Sequence, residues 1–198
     1  MRKEKRFSAL FTCRMPLRPV PNRKTEVRET PAAYPSHKTR PGFDLSLLKR
    51  VLNDLTPLPG NDLFITQYWF DKQTDPPLHF HEDYMLSLTL NVKGTRVTGQ
   101  SVDNFSEKDL SIIFPRVQHC YKRDEAFAET NCEAVAVQFS RDMPNWQLFE
   151  TEYLQPIQKM LSLPVAGLHF SEMVVDRVRE RLLQLPGLRG FESVALFL

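Results

Sequence analysis

The sequence predicts a mainly β fold, a small barrel or sandwich, that is followed by a short helical segment. Between residues 63 and 139, runs rich in aromatic and β-branched residues follow one another at short spacing, with turn residues between them. This pattern is typical of all-β sandwiches and barrels. After residue 140 it ends, and apolar residues recur at helical spacing over 172–185. We therefore expect a β domain at 43–143 and a helical segment at 144–198.

Six segments are predicted to form strands. In 85–92, Leu86, Leu88 and Leu90 alternate with other residues and so share one face of a strand. Lys93 and Gly94 mark the turn to the next strand. The other predicted strands are 63–70, 95–98, 100–105, 110–114 and 133–139.

Short helices are predicted on both sides of the strands. Asp44 can cap a helix over 44–53 before two prolines and a glycine end it. A short helix is expected to begin at Pro144, and another is expected over 153–161.

The clearest helix is predicted over 172–185. Ser171 is a natural N-cap, and the apolar stripe of the helix consists of Val174, Val175, Val178, Leu182 and Leu185. A further helix begins near Phe191 and reaches Leu198 after about eight residues, which is a marginal length for an isolated helix. We therefore expect a truncated helical hairpin.

Residues 1–42 are basic and rich in proline. Residues 1–40 carry eleven Lys or Arg and three Glu, a net charge of +8 in a chain whose net charge is +2. Such a segment buries too little apolar surface to offset the entropy of ordering, so we expect it to be disordered. It is either an extension with no defined role or a tail that attracts nucleic acid or another acidic surface.

The composition also bounds the class of protein. No run of 18 or more apolar residues is present, so no membrane span is predicted. No apolar stretch of signal-peptide length follows the basic N-terminus. Three cysteines are sparse and odd in number, which does not fit a disulfide framework. These features favour a cytoplasmic protein.

Three histidines are the strongest candidates for chemistry. His79 and His81 stand two residues apart, so their rings point to the same face of a strand. His119 comes about forty residues later, after another predicted strand. Three converging imidazoles can line a polar ligand cavity or hold a divalent transition metal.

No catalytic motif accompanies the histidines. The sequence has no paired carboxylates at suggestive spacing, no glycine-rich phosphate loop and no nucleophile elbow. Cys120 follows His119 directly, and adjacent strand residues face opposite ways, so Cys120 is better interpreted as a buried structural thiol than as a nucleophile. His169 is interpreted as a surface-loop residue. The sequence thus predicts no enzyme.

Two segments resemble the paired motifs of cupins. The first is 77–84 (PLHFHEDY) and the second is 105–119 (FSEKDLSIIFPRVQH). With Gln138-Phe139 and the helical hairpin after them, their order and spacing resemble the sensory domain of AraC-type transcriptional regulators over residues 62–198. The resemblance implies a cupin-like double-stranded β-helix followed by a dimerisation-type helical segment.

The resemblance also implies a function. It suggests a regulatory domain that senses a small-molecule effector, a sugar among the candidates, and that forms a homodimer or pairs with related regulators. The cavity lining that it suggests is His79, His81, Arg96 and His119, with Tyr84 at the mouth. Since the helix-turn-helix units of the family follow the hairpin, we expect this chain to lack the DNA-binding half and not to read a DNA sequence alone.

Two departures from the cupin pattern bear on metal binding. Metal-binding cupins have a glutamate four or five residues after the second histidine, where this chain has Met85 and Leu86, and Lys108 replaces the usual glycine of the second motif. We therefore expect no cofactor and no metal. If a metal binds, its ligands are the three histidines, and the alternative function is a metal-dependent cupin enzyme, an isomerase or a dioxygenase.

Overall fold

Ten strands form the framework of the protein in a computed structural model that describes residues 52–53, 63–72 and 76–198. In chain order the strands are β1 (Leu52–Asn53), β2 (Phe64–Asp71), β3 (His79–Phe80), β4 (Tyr84–Leu90), β5 (Gly94–Thr98), β6 (Ser101–Phe105), β7 (Lys108–Ile113), β8 (His119–Arg123), β9 (Cys132–Phe139) and β10 (Gly167–His169). The helices are α1 (Gln155–Leu161), α2 (Glu172–Gln184) and α3 (Gly190–Phe197). Short 3-10 turns lie at Glu125–Phe127, Met143–Asn145, Gln147–Glu150 and Leu185–Gly187.

The strands form two five-stranded sheets. The first sheet has the order β1-β3-β8-β5-β6, and the second has the order β10-β7-β4-β9-β2. All pairings are antiparallel except that of β1 with β3, which is parallel. Together with the helices that follow, these sheets confirm the predicted fold class, a mainly β, cupin-like barrel with a short C-terminal helical segment.

The central strands β4 and β7 of the second sheet are buried on both faces. Along β4, Leu88 and Leu90 belong to an apolar cluster with Leu110 of β7, whereas Met85 packs in a different cluster with Tyr121 of the first sheet. Because successive strand residues face opposite ways, the predicted leucine stripe faces away from the interior between the two sheets.

The helices cover that leucine stripe. Val175 of α2 and Leu185 are almost fully buried against it, and Val174, Val178 and Leu182 pack at the border of the cluster. The predicted helix and its apolar stripe are thus confirmed. In the described part of the chain, no helix combines the length and the apolar character needed to cross a membrane.

Gly94, at the start of β5, is fixed by the approach of β8. A Cβ at this position would lie 2.1 Å from the carbonyl oxygen of Lys122, which is far inside van der Waals contact. The predicted turn at Lys93-Gly94 therefore coincides with a site where only glycine lets two strands pair closely.

Four sequence predictions need correction or lie outside the structure. Leu52 and Asn53, the last residues of the predicted helix over 44–53, form strand β1, and residues 44–51 lie outside the described residues, as does the basic segment 1–42. The segment predicted as helical after 143 also contributes β10 to the second sheet. His169 consequently belongs to a strand and not to a surface loop, because β10 adds to the edge of β7.

Candidate functional site

Several buried polar side chains lie in the interior between the two sheets. Ser87 of β4 lies opposite Ser111 of β7, both are buried, and Ser111 Oγ lies 2.8 Å from the hydroxyl of Tyr121 on the facing sheet. Sandwich interiors are ordinarily apolar. Here Leu88 and Leu110 face the helices, whereas the polar Ser87 and Ser111 face inwards next to an apolar cluster that contains Met85.

A buried ion pair crosses this interior. Nη1 of Arg96 on β5 donates a hydrogen bond of 2.6 Å to Oδ2 of Asp109 on β7, and both side chains are almost fully buried. Burial opposes the charge on Arg96, yet the neighbouring Tyr121 and Asp109 outweigh it and raise the pKa of Arg96. Nε2 of His169, a half-exposed side chain, lies 2.9 Å from the other oxygen of Asp109.

Tyr121 joins the ion pair to the serines. Burial raises the pKa of Tyr121, as does the nearby charge of Asp109, so its hydroxyl keeps its proton at neutral pH. The Arg96 guanidinium carbon lies 5.9 Å from the centre of the Tyr121 ring, within the range of a cation–π contact. The interior is therefore a connected polar network and not a set of isolated groups.

The three histidines predicted from the sequence come together at one end of the network. His79 of β3 pairs directly with His119 of β8, and their ring centres are 4.1 Å apart. The ring of His81 lies 4.9 Å from that of His119 and 6.2 Å from that of His79. The strand pairing places His79 and His119 on one face, because directly opposite strand residues point the same way.

Each imidazole ring is oriented by a backbone carbonyl group of a nearby residue. Nδ1 contacts a carbonyl oxygen two residues away in all three histidines: that of Pro77 for His79, Asp83 for His81 and Val117 for His119. A carbonyl oxygen only accepts, so Nδ1 carries the hydrogen and Nε2 carries the lone pair. Burial, followed by the neighbouring His79 and His81, lowers the pKa of His119 well below its ordinary value, so its ring is neutral at pH 7.

Within residues 52–53, 63–72 and 76–198, no group of three or more His, Cys, Asp or Glu side chains has the arrangement needed to hold a metal ion. The positions at which metal-binding cupins place a carboxylate are taken by Met85 and Leu86. Met85 packs among apolar residues instead.

A cavity of about 150 Å³ opens beside the ion pair. It lies at the seam where edge strand β6 of the first sheet approaches edge strand β10 of the second. Its polar lining consists of Arg96, Thr98, Ser101, Asp103, Ser111 and His169. Thr98 is the strand partner of His119, so this seam cavity adjoins the histidine cluster.

The sequence located part of this site. Arg96 lines the seam cavity and the three histidines lie beside it, but Tyr84 does not lie at the mouth as predicted. Its ring packs between Phe114 and Phe139, and its hydroxyl donates to the carbonyl oxygen of Leu161 over 2.7 Å. Tyr84 thus lies on the helix-covered face of the sheet. Cys120 lies in a separate apolar cluster with Leu78 and Val97, so the expectation of a buried thiol is confirmed.

Sequence reasoning missed Asp109, Ser111 and His169. One signal was present: in β7, Asp109 and Ser111 alternate with Leu110 and Ile112, so polar groups occupy one face of a strand that is buried on both. His169 carried no such signal, because its role depends on the way in which β10 returns to the edge of β7.

Comparison with known proteins gives distant likenesses to solved structures. No protein-family model matches the chain, and no curated protein matches it. Two matching structures are of ToxT from Vibrio cholerae, with TM-scores of 0.41 and 0.43 and identities of 11% and 8% over 61% and 69% of this chain. These matches cover 48% and 52% of the ToxT chains, so the chain spans about half their length.

A third matching structure is a cupin 2 conserved barrel domain protein from Rhodopseudomonas palustris. Its TM-score is 0.33 and its identity is 15%, over 50% of this chain and 72% of the other. All three TM-scores lie below 0.5, so they do not define a family for the chain. Its function has to be argued from the polar interior and its surroundings.

Proposed function

We propose that this chain is the ligand-sensing domain of an AraC-type transcriptional regulator and that it binds a small polar molecule between its two sheets. The observation that carries the proposal is the pair of buried polar side chains on the inner face of β7. Buried Asp109 and Ser111 face inwards, while Leu110 between them packs under the helices. Folding stability alone favours apolar groups in an interior, so a buried polar network next to a cavity supports ligand binding.

The same sheet provides a route from the cavity to a helix. Leu110 belongs to the cluster that buries Val175 of α2, and Nζ of Lys108 lies 2.7 Å from Oδ1 of Asp176 in the same helix. One strand therefore touches the cavity on one face and α2 on the other. A ligand that moves β7 changes the packing of α2, and such a difference in contacts is what a sensor requires.

Monosaccharides are the first probes of this function. We expect D-glucose or L-arabinose to raise the melting temperature of the full chain and to slow hydrogen exchange in α2. Ser111→Leu, which places bulk in the cavity wall, should abolish both effects. Ser162→Leu, at an exposed position after α1, is the matched control and should preserve them. If neither sugar alters melting or exchange, sugar sensing by this chain is excluded.

The second candidate function is a metal-dependent cupin enzyme. It is favoured by one observation, the shared orientation of the three imidazoles, because metal-bound histidines usually tie their second nitrogen to a backbone carbonyl or carboxylate in this way. The arrangement of the rings does not meet the needs of a metal ion, so we rank this function below sensing.

A further inference from the structure

We infer that the seam cavity takes a small protonated amine. This inference rests on the proposed function, since it treats the cavity between β6 and β10 as the ligand site. It narrows the ligand from any small polar molecule to one that carries a positive charge and hydrogen-bond donors.

The charges around the cavity are the first line of support. Arg96 is the cationic side chain of the lining, and its charge is already matched by Asp109 at 2.6 Å. Asp103 also lines the cavity, and the hydroxyl of Ser101 donates to it without adding charge. Arg96, its partner Asp109 and Asp103 together therefore carry one more negative charge than positive charge. A complementary ligand is cationic.

Buried acceptors are the second line of support. Oδ1 of Asp109 is fully buried and, apart from the ion-pair contact with His169, accepts no hydrogen bond from the described residues. Oγ1 of Thr98 and Nε2 of His119, its strand partner, are likewise buried with no hydrogen-bond partner in the described part of the chain. A buried acceptor without a donor costs roughly 1–3 kcal/mol. An ammonium group supplies three donors and no acceptor.

The fixed ring of His119 strengthens this point. Its Nδ1–H donates to the carbonyl oxygen of Val117, so Nε2 of the neutral ring carries a lone pair and can only accept. An anionic ligand would therefore meet the carboxylate of Asp103 in the cavity lining and would lie near the lone pair of His119, the strand partner of Thr98. Neither group stabilises a negative charge.

The size of the cavity limits the rest of the ligand. A volume of about 150 Å³ equals that of an engineered cavity known to hold benzene. It lies below the roughly 300–1,000 Å³ of pockets for drug-sized ligands. The cavity therefore has room for a ligand with one small ring besides its amino group. The apolar part of the lining, Ile113, Ala166 and Leu168, can contact that ring.

Three probes of nearly equal shape test the inference: cyclopentylamine, cyclopentanol and cyclopentanecarboxylate. Their dissociation constants are measured by NMR titration of the full chain at pH 8, where histidines in general are neutral and alkyl amines are charged. We expect cyclopentylamine to bind at least tenfold more tightly than cyclopentanol and cyclopentanecarboxylate to bind most weakly. Higher salt should reduce the preference, since the cavity opens to solvent.

Asp103→Asn is the decisive variant. It should weaken cyclopentylamine about tenfold and leave cyclopentanol unchanged, because only the charge at the cavity wall is removed. Asp124→Asn is the matched control, an exposed aspartate that does not line the cavity, and it should behave as the unaltered chain.

Two outcomes overturn the inference. One is tighter or equal binding of the alcohol or the carboxylate, and the other is failure of all three probes to bind. If the Asp103→Asn variant still binds cyclopentylamine more tightly than cyclopentanol by the same factor, the amine does not bind beside Asp103 in the seam cavity. None of these results decides the sensing function, which depends on whether a bound small molecule, amine or sugar, changes hydrogen exchange in α2. A chain that responds to a sugar through α2 and ignores the amine keeps its proposed function.

Discussion

Arg96 and Asp109 connect the two sheets through an ion pair in the interior, in which Nη1 of Arg96 donates to Oδ2 of Asp109 over 2.6 Å. Both side chains are almost fully buried. The pair lies next to the seam cavity, and Asp109 precedes the leucine that packs under α2. Removing one member leaves the other charged and buried, whereas removing both leaves neither. The pair is therefore a sensitive probe of the polar interior.

Asp109→Leu should destabilise the protein by about 3–5 kcal/mol, the usual cost of breaking a buried pair by removing one partner. Arg96→Met combined with Asp109→Leu should recover much of that loss. Guanidinium unfolding followed by circular dichroism measures both. Lys72→Ala, which breaks the exposed pair with Glu129, is the control and should change nothing measurable. Equal losses for the buried and the exposed pair would contradict the buried network.

Stability should fall as the pH drops from 7 towards 5. The folded pKa of His119 lies well below its ordinary value because of burial and the adjacent histidines, whereas an unfolded histidine has a pKa of about 6.5. Between these two values the unfolded chain binds more protons, so stability rises with pH in that window. One such group contributes at most about 1.4 kcal/mol per pH unit.

His119→Gln tests the origin of this slope. Unfolding free energies of the two proteins are compared at pH 7.5, 6.5 and 5.5, above the range in which ordinary carboxylates titrate. The variant should show a flatter dependence on pH than the unaltered chain. An identical slope in both would assign the effect to other groups.

Gly94→Ala should be strongly destabilising. Its Cβ would lie 2.1 Å from a backbone oxygen of β8, so two paired strands must move apart, at a cost of at least the roughly 1–3 kcal/mol of overpacking. Gly187→Ala is the matched control, because nothing lies within 4 Å of its Cβ. Thermal unfolding compares them, and a Gly94→Ala variant that melts like the control would refute the close strand pairing.

Tyr84→Phe separates structure from ligand binding. Loss of the buried hydrogen bond to Leu161 should lower stability by about 0.5–1.5 kcal/mol. Binding of cyclopentylamine should not change, since Tyr84 lies on the other face of the sheet. Weaker binding of cyclopentylamine at unchanged stability would show that Tyr84 takes part in ligand binding.

Elemental analysis of the purified protein decides between sensing and metal-dependent catalysis. We expect no metal in stoichiometric amount, because the three rings do not form a metal-holding arrangement. Stoichiometric iron, manganese, zinc or nickel that disappears in His81→Ala would instead support the enzyme.

Short-range sequence patterns predicted most of the elements. The alternation of leucines in β4 and the stripe of α2 depend on the repeat of the backbone itself, and both are present in the structure. The spacing of His79 and His81 likewise placed two rings on one face. The short strands β1 and β10 escaped prediction, because two or three residues carry no readable repeat.

The sequence by itself determined a β fold with trailing helices and the shared orientation of His79 and His81, since backbone periodicity fixes which neighbouring side chains share a face. The pairing of β3 with β8 brought His119 to them. Only the tertiary structure decided which face of each strand looks inwards. The leucines of β4 and β7 face the helices, because they pack there against the apolar stripe of α2. The same packing brought His169 to Asp109 and moved Tyr84 away from the cavity. Contacts between residues distant in sequence depend on how whole sheets and helices meet, and no local pattern encodes them.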